Sequence, residues 1–184
     1  MSHREVVLPQ TKPETEWVRG RALQKVSPTY LHGTLQSLMT SALTAWADEG
    51  ERGRVAPEWR FLVAPPGEIV RPLVPDVAYL SFVALAADAP GELVAAPGCA
   101  PTVVVEILSP DDRRADTADK VSTYRAAGTS LAIVVDPECE SIELHGADSP
   151  RTLRTGDVLE DPTLPGFSLD VGALFRRAKR YSGA

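Results

Sequence analysis

The sequence predicts a single α/β domain in which helices flank a mixed β-sheet. Two segments, residues 30–49 and 116–127, place apolar residues at helical spacing. Around them lie short apolar runs with the alternating or continuous pattern of strands. Because hairpin-length connections occur beside one helical crossover, the sheet should contain both antiparallel and parallel pairs. The 184 residues suffice for one domain with a buried core.

The N-terminal segment differs in composition from the rest of the chain. Residues 1–15 are polar and carry two prolines, so we expect a flexible tail there and one domain over residues 16–184. Residues 16–26 predict a short strand and a turn. Ser27-Pro28 is typical of a helix start with proline at the first helical position.

The first helix is predicted over residues 30–49, because its apolar residues fall on one face. That face carries Leu31, Leu35, Leu38, Ala42 and Trp46. Gly50 and Gly53 are expected to end the helix.

Three strands are predicted in the middle of the chain. Residues 58–64 alternate between apolar and polar, and residues 74–82 form a second run that contains Asp76 near its start. Residues 86–101 are rich in alanine, proline and glycine, which indicates a loop. Residues 102–108 are nearly continuously β-branched, as in a central, buried strand.

The C-terminal part begins with a helix over residues 116–127, which Gly128 ends. Residues 131–135 predict a buried strand, and residues 140–145 alternate as in a more exposed strand. A hairpin and a short helix over residues 171–179 should complete the domain. The chain contains no internal repeat.

Charge and glycine patterns exclude several function classes. A formal net charge of -6 argues against a protein that binds nucleic acid over most of its surface. Basic side chains cluster only locally, at Arg113-Arg114 and over residues 176–180, where a solvated face is the ordinary interpretation. Neither the dinucleotide-binding nor the P-loop glycine pattern occurs.

Cysteine usage and hydropathy bear on the cellular compartment. Cys99 and Cys139 lack CxxC partners, so we expect free thiols in a reducing cytosol. No run of about 18 apolar residues is present. The sequence therefore predicts a cytoplasmic protein that does not enter membranes.

Glu106 stands out because it lies inside an apolar strand, Val103–Leu108. A buried carboxylate costs several kcal/mol, roughly, unless a basic partner or a metal ion compensates it. A structural ion pair and a metal ligand both satisfy this requirement. Asp76 favours the metal, because it opens the preceding strand and two carboxylates on neighbouring strands can bind magnesium. Taken alone, Pro75-Asp76 indicates a turn.

Lys120 is the third candidate site residue, on the helix that follows the Glu106 strand. Its ammonium can orient water or neutralise charge in a transition state. Alternatively it is a surface lysine paired with Asp116 one turn earlier. As a helix-surface position it should accept alanine without loss of folding.

Asp76, Glu106-Ile107-Leu108 and Lys120 together resemble the PD-(D/E)XK nuclease pattern with a migrated lysine. That pattern places lysine two residues after the acid, where Leu108 stands here. Over residues 16–175 the chain resembles the Uma-two family of restriction-endonuclease-like proteins. The stretches that carry the resemblance are Val26-Ser27-Pro28 with His32, Glu58-Trp59-Arg60-Phe61, Val74 to Leu80, Val105 to Pro110, Asp116 with Lys120 and Tyr124, Gly128, and Val135-Asp136-Pro137.

The resemblance implies a restriction-endonuclease-like αβββαβ core and a metal-dependent endonuclease. It implies magnesium or manganese as the cofactor, with Asp76 and Glu106 as metal ligands and Lys120 as a catalytic group. We expect nucleic acid as the partner, DNA rather than RNA, although the residues do not separate the two. Many relatives carry a further acid on the first helix, where this chain offers His32 and Gln36.

Further residues are candidates for minor roles in this site. His32 and Glu58 are candidate catalytic contributors, although a helical histidine is more often a cap or core group and a strand-edge carboxylate usually faces water. Arg113 and Arg114 follow the Glu106 strand closely and can bind substrate phosphates. Two solvated loop arginines are the alternative.

Two other functions remain open at the level of sequence. One is a catalytically silent nuclease-fold protein with a binding or regulatory role. The other is a metal-dependent hydrolase of small phosphate esters. We also expect a homodimer, because cutting both strands of a duplex is simplest with two sites related by a twofold axis. Residues 141–144 are expected to supply an exposed apolar interface.

Overall fold

The computed structural model describes residues 5–25, 28–110 and 113–181. Its strands, in chain order, are β1 (Thr15–Val18), β2 (Arg21–Gln24), β3 (Gly53–Pro57), β4 (Phe61–Val63), β5 (Arg71–Leu73), β6 (Val77–Ser81), β7 (Val103–Ile107), β8 (Leu131–Asp136), β9 (Ser141–His145), β10 (Arg151–Leu153), β11 (Val158–Leu159) and β12 (Leu169–Asp170). Its helices are α1 (Tyr30–Glu49), α2 (Gly91–Ala95), α3 (Arg114–Ala126) and α4 (Val171–Lys179).

Within these ranges, six strands form a mixed sheet in the order β10-β9-β8-β7-β6-β3. The β7–β8 pair is parallel and the other pairs are antiparallel. The helix α3 makes the crossover that a parallel pair requires. Along the chain, α1, β3, β6, β7, α3 and β8 reproduce the predicted αβββαβ core, with the β4–β5 hairpin inserted. The predicted fold class is confirmed.

Side chains alternate between the two faces of this sheet and create two apolar layers. Val77, Val103 and Val105 belong to the layer that includes α1 and α4. Ala78 and Val104 belong to the opposite layer, which includes residues of α3. The register pairs Val77 with Val105, so the next pair outward places Asp76 opposite Glu106. By the same alternation, both acids face the α3 side.

The predicted span of α1 is confirmed, but its predicted start is wrong. Thr29 is the N-cap, and its hydroxyl accepts a hydrogen bond from the His32 N–H at 3.3 Å. Pro28 therefore lies before the cap and is not the first helical residue. Ser27 lies outside the described residues.

The sequence does not predict β3, and the strand that it predicts at residues 58–64 is longer than the observed β4. Gly53 was expected to help end α1, but it begins β3 and lies against the backbone of Leu80 on β6. Glu58 has a left-handed φ of 50°, which turns the chain out of the main sheet. The predicted strand at residues 58–64 is therefore reduced to β4, paired with β5.

The expectation of an exposed strand at residues 140–145 is also wrong. β9 lies between β8 and β10. Ser141, Ile142 and Leu144 are buried. Ile142 and Leu144 pack into the apolar layer that includes α1 and α4. Residues 141–144 therefore do not form an exposed apolar interface.

Two further features concern the ends of the domain and its helices. Glu5 forms a β-bridge with Val70, and the division into a flexible tail over residues 1–15 and a domain from residue 16 stays a prediction. In the described part of the chain, no helix has the length and hydropathy to cross a bilayer.

Candidate active site

A cleft of about 620 Å³ opens beside the ends of β6 and β7. Its walls come from the β1–β2 hairpin, the start of α1 and the start of α3. The cleft brings together Asp76, Glu106 and Lys120, the three residues singled out from the sequence. We call it the acidic cleft. All three side chains are buried at its base, with Lys120 only 7% exposed.

Asp76 is held by contacts from three directions. Its Oδ2 accepts a hydrogen bond from the Ile107 N–H at 2.7 Å, which ties it to β7. Its Oδ1 lies 2.7 Å from the Lys25 Nζ, and its Oδ2 lies 3.4 Å from the His32 Nε2. Burial opposes ionisation, but the Lys25 ammonium and His32 overcome it and hold the pKa of Asp76 below its usual range.

Glu106 projects from the central strand toward α3. Its Oε2 accepts a hydrogen bond from the Lys120 Nζ at 2.6 Å. Its Oε1 is buried and has no hydrogen-bond partner among the described residues. Burial raises the pKa of Glu106 to about 8, because desolvation and the Asp76 and Glu16 carboxylates outweigh the attraction of Lys120. The Tyr124 hydroxyl is also buried nearby, and burial together with the Glu106 charge raises its pKa.

Lys120 bridges two acids and does not face solvent. Besides Glu106, its Nζ contacts Glu16 on β1, with Oε1 at 3.0 Å and Oε2 at 3.1 Å. Burial disfavours the charged lysine, but these carboxylates raise its pKa above the ordinary value. The alternative of a surface lysine paired with Asp116 is wrong. Asp116 instead pairs with Arg21 of β2 at 2.5 Å.

The lesser candidates Glu58 and His32 also reach this cleft. The Glu58 carboxylate lies 3.0 Å from the Lys25 Nζ. Gln36 of α1 donates to Glu58 at 2.8 Å and to the Asp76 carbonyl at 2.9 Å. The amide at this helical position therefore holds the β6 end in place.

The two arginines before α3 separate in space. Arg113 is exposed and borders the acidic cleft. Arg114 turns away and pairs with Asp136 at the end of β8, at 2.8 Å. The structure thus brings Arg113 to the proposed site and leaves Arg114 on an adjoining surface.

Sequence reasoning missed two residues of the cleft, Glu16 and Lys25. Glu16 is buried on β1, and its Oε1 accepts a hydrogen bond from the Val74 N–H at 2.7 Å. A carboxylate beside Trp17 and Val18 in a short strand is the same signal that identified Glu106. Lys25 carries no such signal, because only the folding of the hairpin onto β6 places its Nζ beside Asp76 and 3.1 Å from the Val74 carbonyl.

The donor set of the cleft fits a hard divalent cation. Among the described residues, no group of three or more His, Cys, Asp or Glu side chains has a metal-binding arrangement. Magnesium does not need one, because it keeps several waters and often binds through one or two carboxylates and the substrate phosphates. The free Oε1 of Glu106 is a ready ligand atom. The ion-pair network around Asp76 and Glu106 has a formal charge of -2 when all its groups are ionised, because four carboxylates meet two ammonium groups. The carboxylates are Glu16, Glu58, Asp76 and Glu106, and the ammonium groups are Lys25 and Lys120.

Comparison with known families identifies the family of this chain. A family model named Uma2 and described as "Putative restriction endonuclease" matches residues 6–172, most of the chain. The chain belongs to the Uma2 family. This membership confirms the resemblance drawn from the motifs around Asp76 and Glu106. In this Uma2 chain Leu108 stands where the PD-(D/E)XK pattern has lysine, and α3 supplies an ammonium beside Glu106 from Lys120.

A solved structure shares the fold of this Uma2 chain. It comes from Anabaena variabilis ATCC 29413 and is described as "a putative nuclease belonging to DUF820". The superposition has a TM-score of 0.83 and covers 93% of this chain and 94% of that chain, at 21% sequence identity. At that identity the likeness establishes the fold alone. The comparison with curated proteins gives no match.

Proposed function

We propose that this Uma2-family protein is a divalent-metal-dependent nuclease that hydrolyses phosphodiester bonds of nucleic acid. One observation carries the proposal. Lys120 lies 2.6 Å from Glu106, which stands opposite Asp76, at the base of a cleft open to solvent. Membership of a family described as a restriction endonuclease supports the same chemistry.

Asp76 and Glu106 would hold the magnesium or manganese ion. When bound, such an ion polarises a phosphate and lowers the pKa of its water. Hydrogen bonds fix the orientation of both acids in advance, from the Ile107 N–H to Asp76 and from the Lys120 ammonium to Glu106. This preorganisation reduces the rearrangement needed when substrate arrives.

Lys120 supplies positive charge where the attacked phosphate gains negative charge. Glu16 holds that ammonium from the opposite side, so Lys120 cannot swing out of the cleft without leaving two buried carboxylates unpaired. Arg113 at the rim is placed to bind a substrate phosphate. His32 keeps the Asp76 carboxylate aligned and neighbours the space where the scissile group would lie.

The test is cleavage of plasmid DNA and labelled RNA by purified protein with magnesium or manganese. We expect nicking that a chelator abolishes, and a loss of about 10²–10³ in rate for Asp76→Asn and Glu106→Gln. Glu143→Gln is the matched control, because that glutamate lies on β9 outside the cleft. Equal cleavage by all variants would assign the activity to a contaminant.

A second candidate function is a catalytically silent protein that keeps the nuclease fold. The observation that favours it is charge compensation within the chain, since Asp76 already pairs with Lys25 and Glu106 with Lys120. Calorimetric titration with manganese separates the two candidates. Binding that Glu106→Gln abolishes supports the nuclease, whereas no binding and no cleavage of DNA or RNA support the silent fold. A hydrolase of small esters would suit a closed pocket, and the acidic cleft is open.

A further inference from the structure

A second concave surface continues from the acidic cleft. It has a volume of about 840 Å³ and shares His32 and Ser109 with the cleft. The N-terminal turn of α1 forms one side of this surface, and Lys179 from the end of α4 forms part of the other. We call it the flank groove. A small ester would fill only the cleft, so a continuous second groove indicates a longer substrate.

The flank groove brings together an exposed aromatic ring and nearby positive charge, two features that bind a nucleic-acid strand. Tyr30 lies in it with 57% of its surface exposed, and an exposed aromatic ring can stack on a base. The end of α4 concentrates positive charge on a chain whose net charge is -6. This basic end comprises Arg176, Arg177, Lys179 and Arg180.

The groove's own lining is balanced in charge, with Asp136 and Glu138 against Arg114 and Lys179, so the positive excess comes from the end of α4 beside it. Lys179 pairs with Glu140, and both side chains are substantially exposed. Arg114, which also lines the groove, pairs with Asp136 while 67% of its side chain is exposed. A pair between two exposed side chains contributes little, so substrate phosphates can compete with Glu140 for Lys179. Arg114 stays with Asp136, whose side chain is only 9% exposed.

We propose that the substrate is a polynucleotide with an unpaired flank. From the phosphate in the acidic cleft, the strand passes His32 and Ser109 into the flank groove. There a base stacks on Tyr30, and the backbone phosphates contact Lys179 in the groove and the next residue, Arg180, at the end of α4. The flank is single-stranded, because stacking on a side chain requires a base face that is not covered by a neighbouring base pair. This inference rests on the proposed nuclease function and adds the form of its substrate.

The first experiment measures binding without cleavage. Fluorescence anisotropy in chelator would compare single-stranded oligonucleotides of about 4 and about 16 nucleotides, the range of ordinary single-strand sites, with a duplex of the longer sequence. We expect the long single strand to bind more tightly than both of the others. Lys179→Gln with Arg180→Gln should remove most of that gain and lower the salt dependence by about one unit per lost contact. Arg151→Gln is the control, since it removes an exposed arginine that lines neither the acidic cleft nor the flank groove.

The second experiment isolates stacking from charge. Tyr30→Leu should weaken binding of the long strand about tenfold, whereas Tyr30→Phe, which keeps the ring, should bind like wild type. Equal affinity for long and short strands, or tighter binding of the duplex, would overturn the inference even if the enzyme cleaves nucleic acid. Conversely, a length-dependent affinity without any cleavage would uphold this binding surface and refute the nuclease activity.

Discussion

Lys120 illustrates how strongly one buried charge depends on its neighbours. Its ammonium lies between Glu106 and Glu16, and it is nearly inaccessible to solvent. The sequence pattern predicts that Lys120 is a helix-surface residue that alanine can replace without loss of folding. That premise is wrong, because removing one partner of a buried ion pair leaves the others uncompensated.

Lys120→Met should therefore lower the free energy of unfolding by about 3–5 kcal/mol. Adding Glu106→Gln in the same chain should restore part of the loss, because it removes one uncompensated carboxylate. Urea denaturation of the single and double variants measures both effects. Lys12→Met, at an exposed position on the rim of the cleft, should change stability by less than about 0.5 kcal/mol. A Lys120 variant as stable as this control would show that the buried bridge does not exist in solution.

Glu16 acts through Lys120 in the proposed mechanism and is a positioning residue. Glu16→Gln keeps an oxygen for the Val74 N–H but loses the charge that holds Lys120. We expect the kcat for nicking to fall by about 10–100-fold, as for partners that orient functional groups, with manganese affinity unchanged. Steady-state kinetics measures the kcat for nicking, and calorimetry measures the manganese affinity. A parallel fall in metal affinity would instead make Glu16 a metal ligand.

At the scale of elements, the β3–β6 pair depends on a close backbone approach. A Cβ on Gly53 would lie 2.3 Å from the Leu80 carbonyl oxygen of β6 and 2.8 Å from the Ser81 Cα. Backbone atoms cannot yield as the end of a flexible side chain can. Gly53, which the sequence predicts as a helix stop, is therefore needed for the pairing of β3 with β6.

Gly53→Ala should destabilise the protein by about 1–3 kcal/mol, the usual cost of overpacking. Gly91→Ala is the matched control, because a Cβ there meets nothing within 4 Å and alanine favours the helix α2. Thermal unfolding followed by circular dichroism would compare the two. Equal melting temperatures would mean that β3 can shift away from β6 at little cost.

The expected assembly into a dimer is a property of the whole molecule. β9 is paired on both edges and its Ser141, Ile142 and Leu144 are buried, so this strand does not form the dimer interface that the sequence predicts there. The argument from symmetry does not depend on that strand, since twofold dimers are the commonest oligomers of soluble proteins.

We expect a homodimer, with a mass about twice the 19.8 kDa of the chain, in multi-angle light scattering at micromolar concentration. The measured mass should stay at about twice that of one chain with and without magnesium, because the acidic cleft lies within one chain. A monomer mass at every concentration, including with duplex DNA present, would contradict this prediction.

The sequence by itself determined the layered α/β class, the spans of α1 and α4, and the pair of acids on neighbouring strands. These features depend on local periodicity and on the cost of placing Glu106 in an apolar strand, and both can be read from nearby residues. It also contained a usable signal for Glu16, which lies in a short strand beside apolar side chains.

Tertiary structure alone decided which cations meet those acids. Lys25 is about fifty residues from Asp76 along the chain, and Lys120 is about a hundred from Glu16, so no local pattern records either contact. The burial of β9 and the existence of β3 were likewise decided by sheet order. Electrostatic pairing and strand neighbours depend on distance in space, whereas hydrophobic periodicity depends on distance along the chain.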